Sequence, residues 1–149
     1  MIEIQDMKFV NMLYPQLKDD GDFADNNYVD TSGWNHLRVL IQIGNLDIAL
    51  GSTAEGTAPY VEECDTAAGS YTKVTGAELA DAIAADEDGK LFAIDIDLRK
   101  THKRYMRLNA PHAGDGATGV NAAAIGILSK AEIGPKNAAG MGLAELITA

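Results

Sequence analysis

Three histidines, one cysteine, two aspartate-rich runs and one glycine-rich string are the features of this 149-residue chain that could do chemistry. Gly114-Asp115-Gly116-Ala117-Thr118-Gly119 carries the letters of a dinucleotide-binding G-x-G-x-x-G. That motif works only between a strand and the helix it opens, with further βαβ units and an acid about 20 residues on. Only 30 residues follow Gly119, so the string reads as a hairpin loop. The runs Asp19 to Asp25 and Asp86 to Asp88 invite a calcium reading. Counting back from their glycines places Gln16 or Ala84 at the first ligand position, so neither fits an EF-hand loop and both read as solvated loops. His36, His102 and His112 lie on separate segments without metal-ligand spacing. Cys64 has no local signature of a nucleophile and reads as a small, half-buried core residue. Asp95 and Asp97 share a strand face, as paired acids would, but their alternation with core residues explains them as a solvent face. There is no G-x-S-x-G elbow. The expectation is a protein with no catalytic residues, no cofactor and no metal: not an enzyme.

One charge anomaly stands out. Arg99, Lys100, Lys103, Arg104 and Arg107 are five of the chain's 12 Lys and Arg, on a chain of net charge -10. Pairing of Asp95 and Asp97 with Lys103, Arg104 or Arg107 on an adjacent strand would make this ridge ordinary sheet stabilisation, at about 0.2–1 kcal/mol per pair. A docking surface is the other reading, and the two are compatible. A pI near 4.5 argues against nucleic acid as the main partner.

The elements that must position these residues are strands. Leu37, Val39, Ile41 and Ile43 alternate with His36, Arg38 and Gln42. Gly44-Asn45 reads as a tight turn into Leu46, Ile48 and Leu50. Short strands follow at Tyr60 to Cys64 and Tyr71 to Val74. Phe92, Ile94, Ile96 and Leu98 form the apolar side of the strand beside the ridge, and Val120 to Leu128 the last strand. Asp30-Thr31-Ser32-Gly33 is a turn, and Ala77 to Ala85 reads as one short helix. Seven or eight short strands with regular turn signals predict an all-β fold, an antiparallel, jelly-roll-like β-sandwich. Its expected organisation is an N-terminal arm (1–29), a sandwich body (30–133) and a C-terminal tail (134–149). Acidic residues in Met1 to Val10 argue against a signal peptide, and the apolar runs are too short to span a bilayer, so no membrane is expected.

Asp30-Thr31-Ser32-Gly33-Trp34, then Glu63-Cys64-Asp65-Thr66-Ala67-Ala68-Gly69-Ser70-Tyr71-Thr72-Lys73-Val74, then Lys103-Arg104-Tyr105-Met106-Arg107-Leu108 resemble, in order and spacing, the head decoration (cement) proteins of tailed bacteriophages. The resemblance covers about residues 30 to 128. It implies a β-sandwich that binds the outside of the assembled head and stabilises the capsid lattice, with the major capsid protein as partner. The class further suggests a homotrimer on the capsid exterior. Expected contacts are the ridge residues Arg99, Lys100, Lys103 and Arg104, together with Phe9, Leu13, Tyr14, Leu143 and Leu146 of the termini. Removal of residues 1–14 or 136–149 is expected to abolish capsid binding and leave the body folded. The alternatives are another virion component (tail, head-tail connector or fibre base) or a carbohydrate-binding sandwich. The last is disfavoured by one Trp and few exposed aromatics, which offer little to stack a sugar on.

Overall fold

The computed structural model describes residues 6–18, 27–51, 58–111, 117–131 and 139–143. Eight strands are present there: β1 (Lys8–Lys18), β2 (Tyr28–Asp30), β3 (Trp34–Leu46), β4 (Tyr60–Cys64), β5 (Thr72–Glu78), β6 (Leu91–Asp97), β7 (Tyr105–Asn109) and β8 (Val120–Ala131). They form two four-stranded sheets, sheet A in the order β1-β8-β3-β6 and sheet B in the order β2-β7-β4-β5. Every neighbouring pair is antiparallel. The sheets face each other as a sandwich, with β1 approaching β2 and β7, and β5 approaching β6.

The expected alternation builds the core. Leu37, Val39, Ile41, Ile43 and Leu46 of β3 point inward and are at most 5% exposed. Each large aliphatic side chain buried in this way contributes about 2 kcal/mol, so β3 is the spine of the molecule. Ile94 and Ile96 of β6 and Ala122, Ala124 and Leu128 of β8 extend that layer. Val29, Val61, Val74, Met106 and Leu108 face it from sheet B. Gly126 sits where the sheets close most tightly: a Cβ there would lie 3.0 Å from Met12 Sδ and 3.1 Å from Val29 Cγ2. The Asp30–Gly33 turn forms as expected, closed by Ser32 N–H donating to Asp30 Oδ1 and Trp34 N–H donating to the Thr31 carbonyl.

The structure departs from the sequence reading in five places. Lys8–Lys18, expected within an arm, is edge strand β1, hydrogen-bonded along β8; Tyr28–Asp30 is likewise a strand. The helix expected over Ala77 to Ala85 does not form. Ala77 and Glu78 end β5, and Ile83 exchanges two backbone hydrogen bonds with Leu50. Burial of Ala77 and Ile83 in the shared core overrides alanine's helix propensity. Gly44-Asn45 is no hairpin turn, because β3 runs through to Leu46 with a register irregularity against β8. Asp88 holds the end of that strand by accepting the Leu46 N–H at 2.7 Å. The connection from Pro111 to Gly119 joins β7 in sheet B to β8 in sheet A, so it is a crossover rather than a hairpin. Finally, β6 and β7 are not neighbours: they lie in different sheets.

Candidate functional site

That last departure changes the meaning of the basic ridge. Asp95 and Asp97 are out of pairing reach of Lys103, Arg104 and Arg107, and each finds another cation. Asp95 receives a two-pronged contact from Arg38, at 2.8 Å on both oxygens, with His36 Nε2 at 3.4 Å. Asp97 is gripped by Arg99 at 2.8 and 2.9 Å. Arg104, just before β7, reaches Asp30 of the neighbouring β2, again at 2.8 Å on both oxygens, and Arg107 meets Glu62 of β4 at 2.5 Å. Lys103 Nζ donates to Thr72 Oγ1, while its backbone N–H and His102 Nδ1 both meet Glu63 Oε2. Among the described residues, only the Lys100 ammonium lacks a hydrogen-bonded partner in the ridge. It lines an open polar cleft of about 270 Å³ between β5 and β6, with Asp95, Asp97 and His102.

The pairing shifts the acids in one direction. The Arg99 side chain, aided by its backbone N–H, holds the Asp97 carboxyl far below the usual aspartate range. Arg38 lowers Asp95 and Arg104 lowers Asp30, and Asp30 in turn raises Arg104. Asp47 is lowered by the backbone N–H groups of Thr118 and Gly119, and Glu87 by that of Ala84 and by Lys90. A carboxyl depressed in the folded state stabilises the fold fully above its unfolded value. That contribution is lost as pH falls through the folded value. Melting temperature is therefore expected to fall as pH drops below the ordinary values of 4.5 for Glu and 3.8 for Asp. A calorimetric series from pH 6 to pH 2.5 checks this, and a flat or rising profile would contradict it.

Asp47 also accounts for the described end of the G-x-G-x-x-G string. Thr118 and Gly119 donate their N–H groups to its two carboxylate oxygens at 2.7 and 2.8 Å. The donors a phosphate would use there are spent on the protein's own acid. In the Asp86 to Asp88 run, Asp88 takes the Leu46 N–H and Glu87 takes the Ala84 N–H and Lys90, which are turn-capping roles. Cys64 is buried beneath Thr66 and Gly69. His112 and the Asp19 to Asp25 run lie outside the described residues.

The terminal residues expected to meet a partner separate by environment. Leu13 is a core residue at 4% exposure, with no side-chain surface to offer. Phe9 is half-buried and pairs with Ile127 on the outer face of sheet A, and Tyr14 is 50% exposed beside it. Leu143 is half-buried and Leu146 lies outside the described residues. Residues 139–143 fold back onto the free edge of β1, where Phe9 N–H donates to the Met141 carbonyl. Gly142, at φ +76°, passes so close to the Phe9 backbone that any Cβ would collide with the Phe9 carbonyl oxygen. Residues 139–143 are thus seated on the body, and they blunt an edge that would otherwise present unpaired backbone groups.

The two outer sheet faces differ in kind. On sheet A, the registers align Phe9 with Ile127 and Arg38, and Ile125 with Leu40 and Ala93. Leu91, 61% exposed, continues this aliphatic surface. A shallow depression of about 70 Å³ opens between Leu40, Gln42, Ala123 and Ile125. On sheet B, four of the chain's five tyrosines gather with guanidinium groups. Tyr28 and Tyr105 meet edge to face at 5.3 Å, Arg104 lies 5.1 Å from the Tyr105 ring, and Arg107 lies 4.1 Å from that of Tyr71. Lys73 sits 4.8 Å from the Tyr60 ring and pairs with Glu78. Sequence reasoning missed this cluster. The signal was present in the period-two pairs Tyr60/Glu62 and Tyr105/Arg107, each of which puts a tyrosine and a charge on one strand face.

No protein-family model matches the chain, and no curated protein matches it significantly.

Proposed function

We propose that this protein is a head decoration (cement) protein of a tailed bacteriophage, a jelly roll that binds the outer surface of the assembled head. Its partner in this reading is the major capsid protein, and it sits on the capsid exterior as a homotrimer. The strand orders 1-8-3-6 and 2-7-4-5 match two interlocked Greek keys, an architecture used by viral capsid and lectin domains among others. The observation that carries the reading is the outer face of sheet A, whose aliphatic centre at Leu40, Ile125 and Ile127 is left partly exposed and is continued by the exposed Leu91. Its charged end is closed by the Arg38–Asp95 pair. An apolar centre with a satisfied polar rim is what a protein-protein contact needs. The ridge cations take a lesser part than the sequence suggests, because Arg99, Lys103, Arg104 and Arg107 already have partners within the protein.

Binding to assembled shell and not to free subunits stabilises the shell by mass action, and repetition over a lattice multiplies weak contacts. The test is occupancy on purified heads stripped of their decoration protein. The double substitution Leu40→Asp with Ile125→Asp changes only outward-facing positions, so it is expected to keep the fold and reduce head affinity at least tenfold. Wild-type occupancy by that variant would overturn the reading. Electron microscopy of occupied particles separates a lattice-wide coat from the alternative of a tail or connector component, which would sit at one vertex.

A further inference from the structure

We propose that the outer face of sheet B is a carbohydrate-binding face for uncharged pyranose oligosaccharides, separate from the aliphatic face of sheet A. The expectation that the chain lacks a stacking platform rested on aromatic count, but the fold concentrates what aromatics there are. Tyr28 from β2, Tyr105 from β7, Tyr60 from β4 and Tyr71 just before β5 come together on one side of one sheet. Tyr28 remains 46% exposed. Tyr60, Tyr71 and Tyr105 each hold a protein cation on one face, so the exposed Tyr28 leads the contact: the π-face of a tyrosine carries negative charge density and attracts polarised C–H groups, which line the apolar face of a pyranose ring. Around the rings, Arg104 with Asp30 supplies donors and acceptors whose positions are already set by their mutual bonds, and the buried Glu62 fixes the partly exposed Arg107 guanidinium. Such a frame binds hydroxyls with little ordering cost.

Charge complementarity selects the ligand class. The pairs Arg104–Asp30, Arg107–Glu62 and Lys73–Glu78 leave this face neutral, although the chain as a whole carries -10. A polyanion would have to displace carboxylates from those arginines and would meet the protein's general repulsion. The protein contact proposed above already has its own face on sheet A. A neutral polyhydroxyl ligand meets neither obstacle. Jelly rolls also include lectin domains, although that is an analogy of fold alone.

The experiment is an NMR titration of the full chain with maltohexaose, chitohexaose and mannohexaose as neutral probes and a heparin hexasaccharide as the polyanion. Saturable shifts with at least one neutral probe are expected, centred on the ring signals of Tyr28, Tyr60, Tyr71 and Tyr105. Tyr28→Ala and Tyr71→Ala are each expected to weaken that binding about tenfold, while Leu40→Asp with Ile125→Asp leaves it unchanged. No shift with any neutral probe, shifts confined to sheet A, or binding of heparin alone would each overturn the proposal. The wild-type shift map decides the matter even where a tyrosine variant fails to fold. Because the sheet A double variant is predicted to lose heads and retain sugar, failure here leaves the capsid reading separately testable.

Discussion

A chain lacking residues 1–14 is expected to show no cooperative unfolding transition at all, rather than a folded body with a missing arm. Those residues carry most of β1. Met12 and Leu13 are 1% and 4% exposed within the main core, and Val10 packs against it. Losing a buried side chain of this size costs about 2–5 kcal/mol when the cavity cannot collapse. Two such losses consume most of the 5–15 kcal/mol that holds a typical domain together. The truncation also strips β8 of its partner from Leu128 to Ala124, leaving a long hydrophobic strand edge bare. Removing residues 136–149 is a milder change. It takes away one buried side chain, Met141 at 1% exposure, and the seat of Gly142 on β1, but no described strand. Urea titrations followed by Trp34 fluorescence and far-ultraviolet circular dichroism distinguish the two. A sigmoidal transition of the 1–14 deletion with a midpoint near that of the full chain would refute the assignment of β1 to the core.

β1 lacks the sequence signature of a strand. A strand announces itself by alternation, and β1 breaks alternation twice, between Asn11 and Leu13 and between Leu13 and Gln16. The irregularities turn the consecutive residues Met12 and Leu13 both inward, which period-two reading cannot anticipate. Pro15 added to the impression of a stop, yet an edge strand tolerates a residue without an N–H. Where alternation is clean, the sequence was legible: the inward sets of β3 and β6 are those read from spacing, and Tyr60–Cys64, without clean alternation, is still a strand with the bounds expected of it. What spacing could not supply was the partner of each strand. Asp97 caps the turn after β6 by accepting the Arg99 N–H through its side chain and the Lys100 N–H through its carbonyl. The chain then passes to the other sheet instead of returning beside β6. Every pairing expected of the ridge depended on that one connection, so the candidate site had the right residues and the wrong neighbours.

The pair Glu62–Arg107 is the other place where a single substitution is expected to act strongly, and the effect reaches from stability to the proposed ligand face. Glu62 is 6% exposed. Its carboxylate meets Arg107 Nε, and the same guanidinium lies 4.1 Å from the Tyr71 ring. Glu62→Leu strands a half-buried guanidinium, and Arg107→Leu strands a carboxylate that is more deeply buried still. Breaking one side of a buried pair costs about 3–5 kcal/mol, whereas replacing both sides with apolar groups of similar volume is often close to neutral. Because Arg107 keeps 27% side-chain exposure, water relieves part of the first loss. Glu62→Leu is thus expected to cost about 2–3 kcal/mol and Arg107→Leu rather more. The double substitution should cost less than either single one, giving a coupling of at least about 3 kcal/mol in a double-mutant cycle of urea midpoints. Additive losses would mean that the two charges act independently and that the contact is incidental. The double variant then separates the two uses of the contact: it should fold nearly as well as the wild type while leaving the Tyr71 ring without its guanidinium neighbour. Retained stability with weakened neutral-saccharide binding is the joint outcome expected if this pair serves the surface of sheet B as well as its interior.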